Sequence, residues 1–235
     1  MVTLQAGRTI ARINPEGAWV ESLVSGDDQI LFPLGELTNE DGESKKRGGM
    51  HVCLPNFGAG GNTGLAQHGF GRNTLWRVVS SESNKVELAL ENSPQPYEDM
   101  LASLVYELDE SSLTANLRLE NWGAGVLRFA PAFHPYFSIR PGSTEVSINE
   151  NVYQLDSLAG TEFVEADAMT FKTSSKTIRI SQENLSLWAI WTDLLGPYVC
   201  IEPTFDGYRF LEAPKSDELL APGNTANYAC KTEWS

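Results

Sequence analysis

Two polar motifs, RGGMHVCLPNFG (residues 47–58) and AQHGFGRN (residues 66–73), bring two arginines, several glycines and two of the chain's three histidines close together in sequence. The third histidine stands in FHPYF (residues 133–137), and a single glutamate ends the apolar run of YVCIEP (residues 198–203). Burying polar side chains costs free energy unless they are paired, so polar residues inside apolar, aromatic segments mark a candidate site. His134 suits general acid–base work, because imidazole exchanges protons near neutral pH. It equally suits a core histidine satisfied by a backbone carbonyl, and the aromatic run predicts its ring on a sheet face between Phe133 and Tyr136. Glu202 is a candidate base, or else a strand-end carboxylate in a salt bridge. Desolvation would raise its pKa and a nearby imidazolium would lower it. A Glu–His pair can hold one proton ready to give and one vacancy ready to take.

His68 is followed by Gly-Phe-Gly, which lets backbone approach a ligand closely; a turn histidine bonded to a loop carbonyl is the alternative. Arg47 and Arg72 each offer a planar fork suited to carboxylate, phosphate or sugar hydroxyls, although lone surface arginines are common. His51 interrupts a strand-like MHVCL and has no evident role. No two histidines lie at HxH or HxxxH spacing, so no metal is expected; the remaining metal option is a cupin-like set of His51, His68 and His134. The chain has no GxSxG elbow and no GxxxxGK[ST] phosphate loop. GAGGNTG (residues 58–64) opens no helix, so no nucleotide cofactor is expected.

Strands must position these groups. Lys85 to Asn92 alternate polar and apolar residues. Leu104, Tyr106 and Leu108 share one face before a Glu110-Ser111-Ser112 turn, and Leu113, Ala115, Leu117 and Leu119 return, which is a hairpin pattern. Further strands are read at TIARI, AWVESLV, QILFP, EVSIN, TIRIS, LSLWAIW, YVCIE and NYACKTEW, separated by turn chemistry at NPEG, SGDD, RPGS, DLLG and APGN. No segment carries a convincing amphipathic helix. The pattern predicts an all-β fold, a large antiparallel sandwich or barrel, as one domain over residues 1–235. Residues 37–46 (LTNEDGESKK) are expected to be a solvated loop, and residues 58–64 a flexible one.

Seventeen Lys and Arg against 31 Asp and Glu give a formal charge of −14, which argues against nucleic-acid and anionic-membrane partners. A small anion is still admissible, since screening over about 8 Å lets local arginines outweigh the total. No apolar run reaches the length of a transmembrane helix, and the first residues lack a basic start with an apolar core, so no signal peptide is read. The three cysteines, Cys53, Cys200 and Cys230, have no CxxC spacing. They read as buried thiols of a reducing, cytoplasmic compartment.

Taken together, RGGMHVCLPNFG, QHGFGRNTLW, FHPYF, VCIEP and LAPG (residues 220–223) resemble, in order, the motifs of the galactose mutarotase-like superfamily. The likeness is greatest to its aldose 1-epimerase and hexose-6-phosphate mutarotase branch, and it runs from Arg47 to the chain's end. It implies an antiparallel β-supersandwich with a sugar on its concave face. It also implies Glu202 as base, His134 as acid, and His68, Arg47 and Arg72 as substrate contacts, the arginines serving a 6-phosphate in the phosphate-using branch. The implied activity is exchange of α and β anomers of a hexose or hexose 6-phosphate, with neither metal nor nucleotide. Met50-His51 stands where the family usually has an apolar residue and then proline. The family's acidic segment after the histidine finds only SSKTIRI, from Ser174, without a carboxylate; Asp193 in WTD is the candidate substitute for its sugar-contacting aspartate. A non-catalytic carbohydrate-binding or regulatory protein of the same fold is the alternative that this departure motivates.

Overall fold

The computed structural model describes residues 1–173 and 175–235. Among them, helix is limited to short 3-10 turns, and two nine-stranded sheets account for most of the strands, with two further two-stranded ribbons. Every ladder is antiparallel. This is the antiparallel β-sandwich that the alternation predicts. Among the described residues no helix is long and apolar enough to cross a membrane.

The strands Met100–Asp109 and Ser112–Asn121 form the longest hairpin, with Asp109 opposite Ser112 across a two-residue turn. Ser112, expected in the turn, is therefore the first strand residue. Leu104, Tyr106, Leu108, Leu117 and Leu119 from this hairpin share one buried cluster with Phe133, Phe137, Val199 and Ile201 from the other sheet. The cluster is the filling of the sandwich, where each large apolar side chain contributes about 1.5–3 kcal/mol by leaving water. Phe137 and Phe171 meet edge to face across it at 5.1 Å, and the Tyr106 hydroxyl donates to the Ala18 carbonyl at 2.8 Å.

Two expectations need correction, that for residues 37–46 and that for Phe133. Residues 37–46 are not a loop: Gly35–Thr38 pairs with Ser44–Arg47 as an exposed hairpin, closed by Glu43 N–H donating to Asn39 Oδ1 at 2.7 Å. The polar composition indicated solvent, and a ribbon exposed on its surface satisfies that equally well. Residues 58–64 are a loop, as expected, and carry a short 3-10 turn, Gly61–Thr63, tied by the Thr63 hydroxyl to the Gly60 carbonyl at 2.6 Å. Phe133 does not share a face with His134: adjacent strand residues point to opposite sides, and Phe133 enters the core. Of the SSKTIRI segment, Ser174 lies outside the described residues, and Thr177–Glu183 is a strand of the second sheet.

Candidate active site

Three neighbouring strands of the first sheet build the site. Ala132–Ser138 lies between Met50–Cys53, with His134 directly opposite His51, and Tyr198–Thr204, with Tyr136 opposite Cys200 and Ala132 opposite Thr204. Alternation from this register puts His51, His134, Tyr136, Cys200 and Glu202 on one face, while Val52, Phe133, Val199 and Ile201 fill the core behind. A slip of one residue would exchange the two sets, so the apolar half of these strands fixes where the polar half points.

His134 Nε2 and Glu202 Oε2 lie 3.2 Å apart, with the two residues only 4% and 1% exposed. The contact does not have hydrogen-bond geometry, and Glu202 Oε2 and His134 Nδ1 have no hydrogen-bond partner among the described residues. Burial pushes the Glu202 carboxyl well above the usual carboxylate range. Burial, and then His68, Arg72 and Arg47, holds the His134 imidazole well below its usual value. The His134 ring stacks on Tyr136 at 4.8 Å and meets the His68 ring edge to face at 5.1 Å.

His68 arrives from a loop that only glycine permits. Its neighbour Gly69 has φ +68, and a Cβ there would fall 2.0 Å from the Leu54 carbonyl oxygen. His68 Nδ1 accepts from the Gly58 N–H at 3.2 Å and touches Cys53 Sγ at 3.4 Å. The loop thus offers a backbone donor rather than the carbonyl considered from sequence. With Nδ1 an acceptor, the neutral ring carries its hydrogen on Nε2, and burial together with Arg72 and Arg47 lowers the pKa to about 3.

The two arginines are held in different ways. Arg47 ends the exposed hairpin, before Gly48, where φ is +102 and a Cβ would meet the Pro33 carbonyl oxygen at 2.3 Å. Its Nε donates to Asp193 Oδ2 at 2.7 Å, and its guanidinium lies 5.5 Å from the Trp191 ring centre. Asp193 also accepts from the Tyr198 hydroxyl. Arg72 instead lies 3.2 Å from His51 Nε2 through Nη1 and donates to the Gln67 carbonyl at 3.1 Å through Nη2; its Nε has no hydrogen-bond partner among the described residues.

Arg47, His68, Arg72, His134 and Glu202 all line one cavity of about 490 Å³, within the ordinary range for a small-molecule site. Asp193 does not line it and stands behind Arg47. Sequence reasoning missed Tyr136, Trp191, Tyr208 and Gln67 as lining groups, and missed the part played by His51. Tyr208 stacks on Phe57 at 5.6 Å and donates to the Thr161 hydroxyl at 2.9 Å, a contact between loops distant in sequence. His51, His68 and His134 do converge, with ring centres 4.7–6.0 Å apart, but His51 Nε2 and His68 Nδ1 are already engaged. The set with metal-ligand proximity among the described residues is His134, Cys200 and Glu202, whose ligand atoms lie within 4.8 Å of one another.

Comparison with known proteins gives this geometry its context. The "Putative glucose-6-phosphate 1-epimerase" of Cenchrus ciliaris is 31% identical over 147 residues, 54% of this chain and 44% of its own length, so the match spans less than half of that relative. Among solved structures, a galactose mutarotase-like protein from Lactobacillus casei ATCC 334 superposes with a TM-score of 0.80 at 16% identity, covering 100% of both chains. The Slr1438 protein of Synechocystis sp. PCC 6803 does so with a TM-score of 0.77 at 20% identity, covering 99% of this chain and 94% of its own. These two similarities concern the fold. The sequence model of the aldose 1-epimerase family matches residues 1–189, four-fifths of the chain and three of its four site-bearing segments, and the chain belongs to that family.

Proposed function

We propose that this member of the family interconverts the α and β anomers of a hexose or hexose 6-phosphate, with Glu202 as the base and His134 as the acid. The observation that carries the reading is the buried Glu202–His134 contact, whose polar atoms are incompletely paired and face a cavity. Glu202 takes the proton of the anomeric hydroxyl while His134 Nε2–H gives one to the ring oxygen. The C1–O5 bond opens to a free aldehyde, rotation about C1–C2 turns the carbonyl, and reclosure on the other face returns both protons. Burial moves the two proton affinities toward each other, Glu202 upward and His134 downward. These shifts draw the shared proton toward Glu202, and its return to His134 gives the carboxylate–imidazolium form that acts as base and acid.

His68 Nε2–H is assigned to a sugar hydroxyl, and Arg47 and Arg72 to a 6-phosphate or to further hydroxyls. Asp193 is assigned to holding Arg47 rather than to touching the sugar. Trp191 and Tyr208 flank the cavity with ring surfaces suited to the C–H face of a pyranose.

Exchange NMR or polarimetry on glucose, galactose and their 6-phosphates tests the proposal. Glu202→Gln and His134→Ala should each slow anomer exchange on the order of 10²-fold or more. Unchanged rates in both variants would remove the pair from the mechanism. Saturable sugar binding without faster exchange in the unaltered protein would favour the carbohydrate-binding alternative. Activity should follow a bell in pH, because the pair works with one shared proton. Its acid limb lies below the ordinary histidine value of 6.5 and its basic limb above the ordinary glutamate value of 4.5.

A further inference from the structure

His51 occupies a position where the related motif usually has proline, and it is fully buried at 0% exposure. Its ring packs against Trp19 at 4.2 Å and meets His134 edge to face at 4.7 Å. Its one polar contact among the described residues is Arg72 Nη1, 3.2 Å from Nε2. A guanidinium only donates, so Nε2 must be the acceptor, the ring is neutral, and its hydrogen sits on Nδ1. The charged and titratable groups around it agree: Arg72, Lys46, His134 and His68 all oppose a proton there, as does burial.

The consequence falls on Arg72. Arg47 is oriented by a carboxylate, so its charge has a counter-charge beside it at 2.7 Å in Asp193. Arg72 is oriented by an imidazole and a carbonyl, neither of which carries charge, and it forms no ion pair among the described residues. An uncompensated guanidinium at the wall of a cavity attracts an anion more strongly than a paired one does.

We propose that His51 is a positioning residue that holds Arg72 through a neutral acceptor, keeping the full charge of Arg72 for an anionic group on the substrate, such as a phosphate monoester. This rests on the anomerase reading for the reaction and adds to it the residue that sets anion preference. Proline at this position would leave Nη1 without that acceptor. A carboxylate would hold the arginine but cancel its charge.

The test uses His51→Ala, His51→Gln and His51→Glu in the full chain. Its first readout is the ratio of kcat/KM for glucose 6-phosphate to that for glucose. His51→Ala should lower the ratio about tenfold, chiefly through KM for the phosphorylated sugar, as befits one lost charge-assisted hydrogen bond. His51→Gln, whose carbonyl can accept from Nη1, should restore it to within about threefold, and His51→Glu should abolish the preference. Equal losses on both sugars in His51→Ala, or a preserved preference in His51→Glu, would overturn the inference while leaving the anomerase reading intact. The second readout is titration with inorganic phosphate at fixed ionic strength, followed by NMR shifts of the Trp19 and Trp191 indoles, and it needs no turnover. Should the unaltered protein accelerate neither sugar, the anomerase reading falls and this titration decides alone. Binding weakened in His51→Ala and kept in His51→Gln supports the role of His51; equal binding in all variants, or none in the unaltered protein, defeats it.

Discussion

Glu202 and Glu218 are nearly equally buried, at 1% and 2% exposure, yet their carboxyls shift in opposite directions. For Glu202, burial acts alone and the pKa rises. For Glu218 burial also pushes upward, but hydrogen bonds from Arg128 and the Lys215 N–H, with Arg209 adding to them, outweigh it and the pKa falls. Arg128 Nε reaches Glu218 Oε2 at 2.6 Å and Arg209 Nε reaches Oε1 at 3.0 Å, while Arg128 Nη2 donates to the carbonyls of Arg209 and Glu212, Arg209 Nη2 to the carbonyl of Ala213, and Arg209 Nη1 to the Glu212 carboxylate. That network is a finished joint, pinning the loop that carries Tyr208 to the strand Leu127–Arg128. The cavity cluster is unfinished: His51 Nδ1, Arg72 Nε, His134 Nδ1 and Glu202 Oε2 are four of the six buried side-chain atoms without a hydrogen-bond partner among the described residues. Buried polar atoms are normally satisfied, and three of these four belong to residues that line the cavity, Arg72, His134 and Glu202.

Exchanging the two glutamates for neutral residues should break the comparison most sharply. Glu202→Gln should lose on the order of 10²-fold or more in anomer exchange, with a melting temperature unchanged or raised, because it removes a poorly compensated group. Glu218→Ala should do the reverse, costing about 3 kcal/mol by leaving two arginines without their shared carboxylate. In a domain of this size that corresponds to a melting temperature lower by roughly 9 °C. Equal effects of the two substitutions on stability, measured by thermal melts, would erase the distinction.

The same contrast has a pH signature. His51, His68 and His134 all have pKa values depressed below the ordinary 6.5, so the unfolded chain takes up protons that the folded chain refuses. Their stabilising contribution is present above pH 6.5 and is lost as pH falls below it. Glu202 acts in the other direction, since the folded chain keeps a proton that the unfolded chain releases above 4.5. The net difference of two protons approaches roughly 3 kcal/mol of lost stability per pH unit as pH falls toward 5. Denaturant titrations at pH 7, 6 and 5 would measure it. Glu202→Gln should steepen the dependence by one proton, and a slope unchanged by that substitution would show that Glu202 does not retain its proton in the folded chain.

Strands with one face in solvent are legible in sequence, as Lys85–Leu90 and the hairpin from Met100 to Asn121 show, because water imposes the alternation. Met50–Cys53 and Tyr198–Thr204 are buried on both faces throughout, and Ala132–Ser138 is so up to its last residue. In them alternation disappears: the polar residues His134 and Glu202 stand out, but not the direction in which they point, which is why Phe133 was expected beside His134. His51 is visible as a residue type, whereas its partner Arg72 comes from a loop whose path depends on Gly69 and the Leu54 carbonyl. Tyr208 and Gln67 sit on loops with no period to read, placed by tertiary contacts such as those of Tyr208 with Phe57 and Thr161. Asp193 was noticed for its charge, and only the fold shows that Arg47 holds that charge.

Arg47 is the member of the cavity built most like the Glu218 joint, and it supplies the smallest and most discriminating test. Its partner Asp193 is largely buried and holds Arg47 through Oδ2 while Oδ1 accepts from the Tyr198 hydroxyl and the Leu195 N–H. Asn at position 193 keeps an oxygen that can accept from Arg47 Nε and removes the counter-charge. Asp193→Asn should therefore lower KM for glucose 6-phosphate by about threefold while leaving KM for glucose nearly constant, since a second guanidinium would face the cavity with its charge uncompensated. Asp193→Ala removes the acceptor as well, lets the guanidinium swing, and should forfeit that gain. A KM for the phosphorylated sugar that rises in both variants would mean that Asp193 itself touches the substrate, as the likeness to the family first suggested, and that charge compensation at Arg47 has no bearing on anion binding.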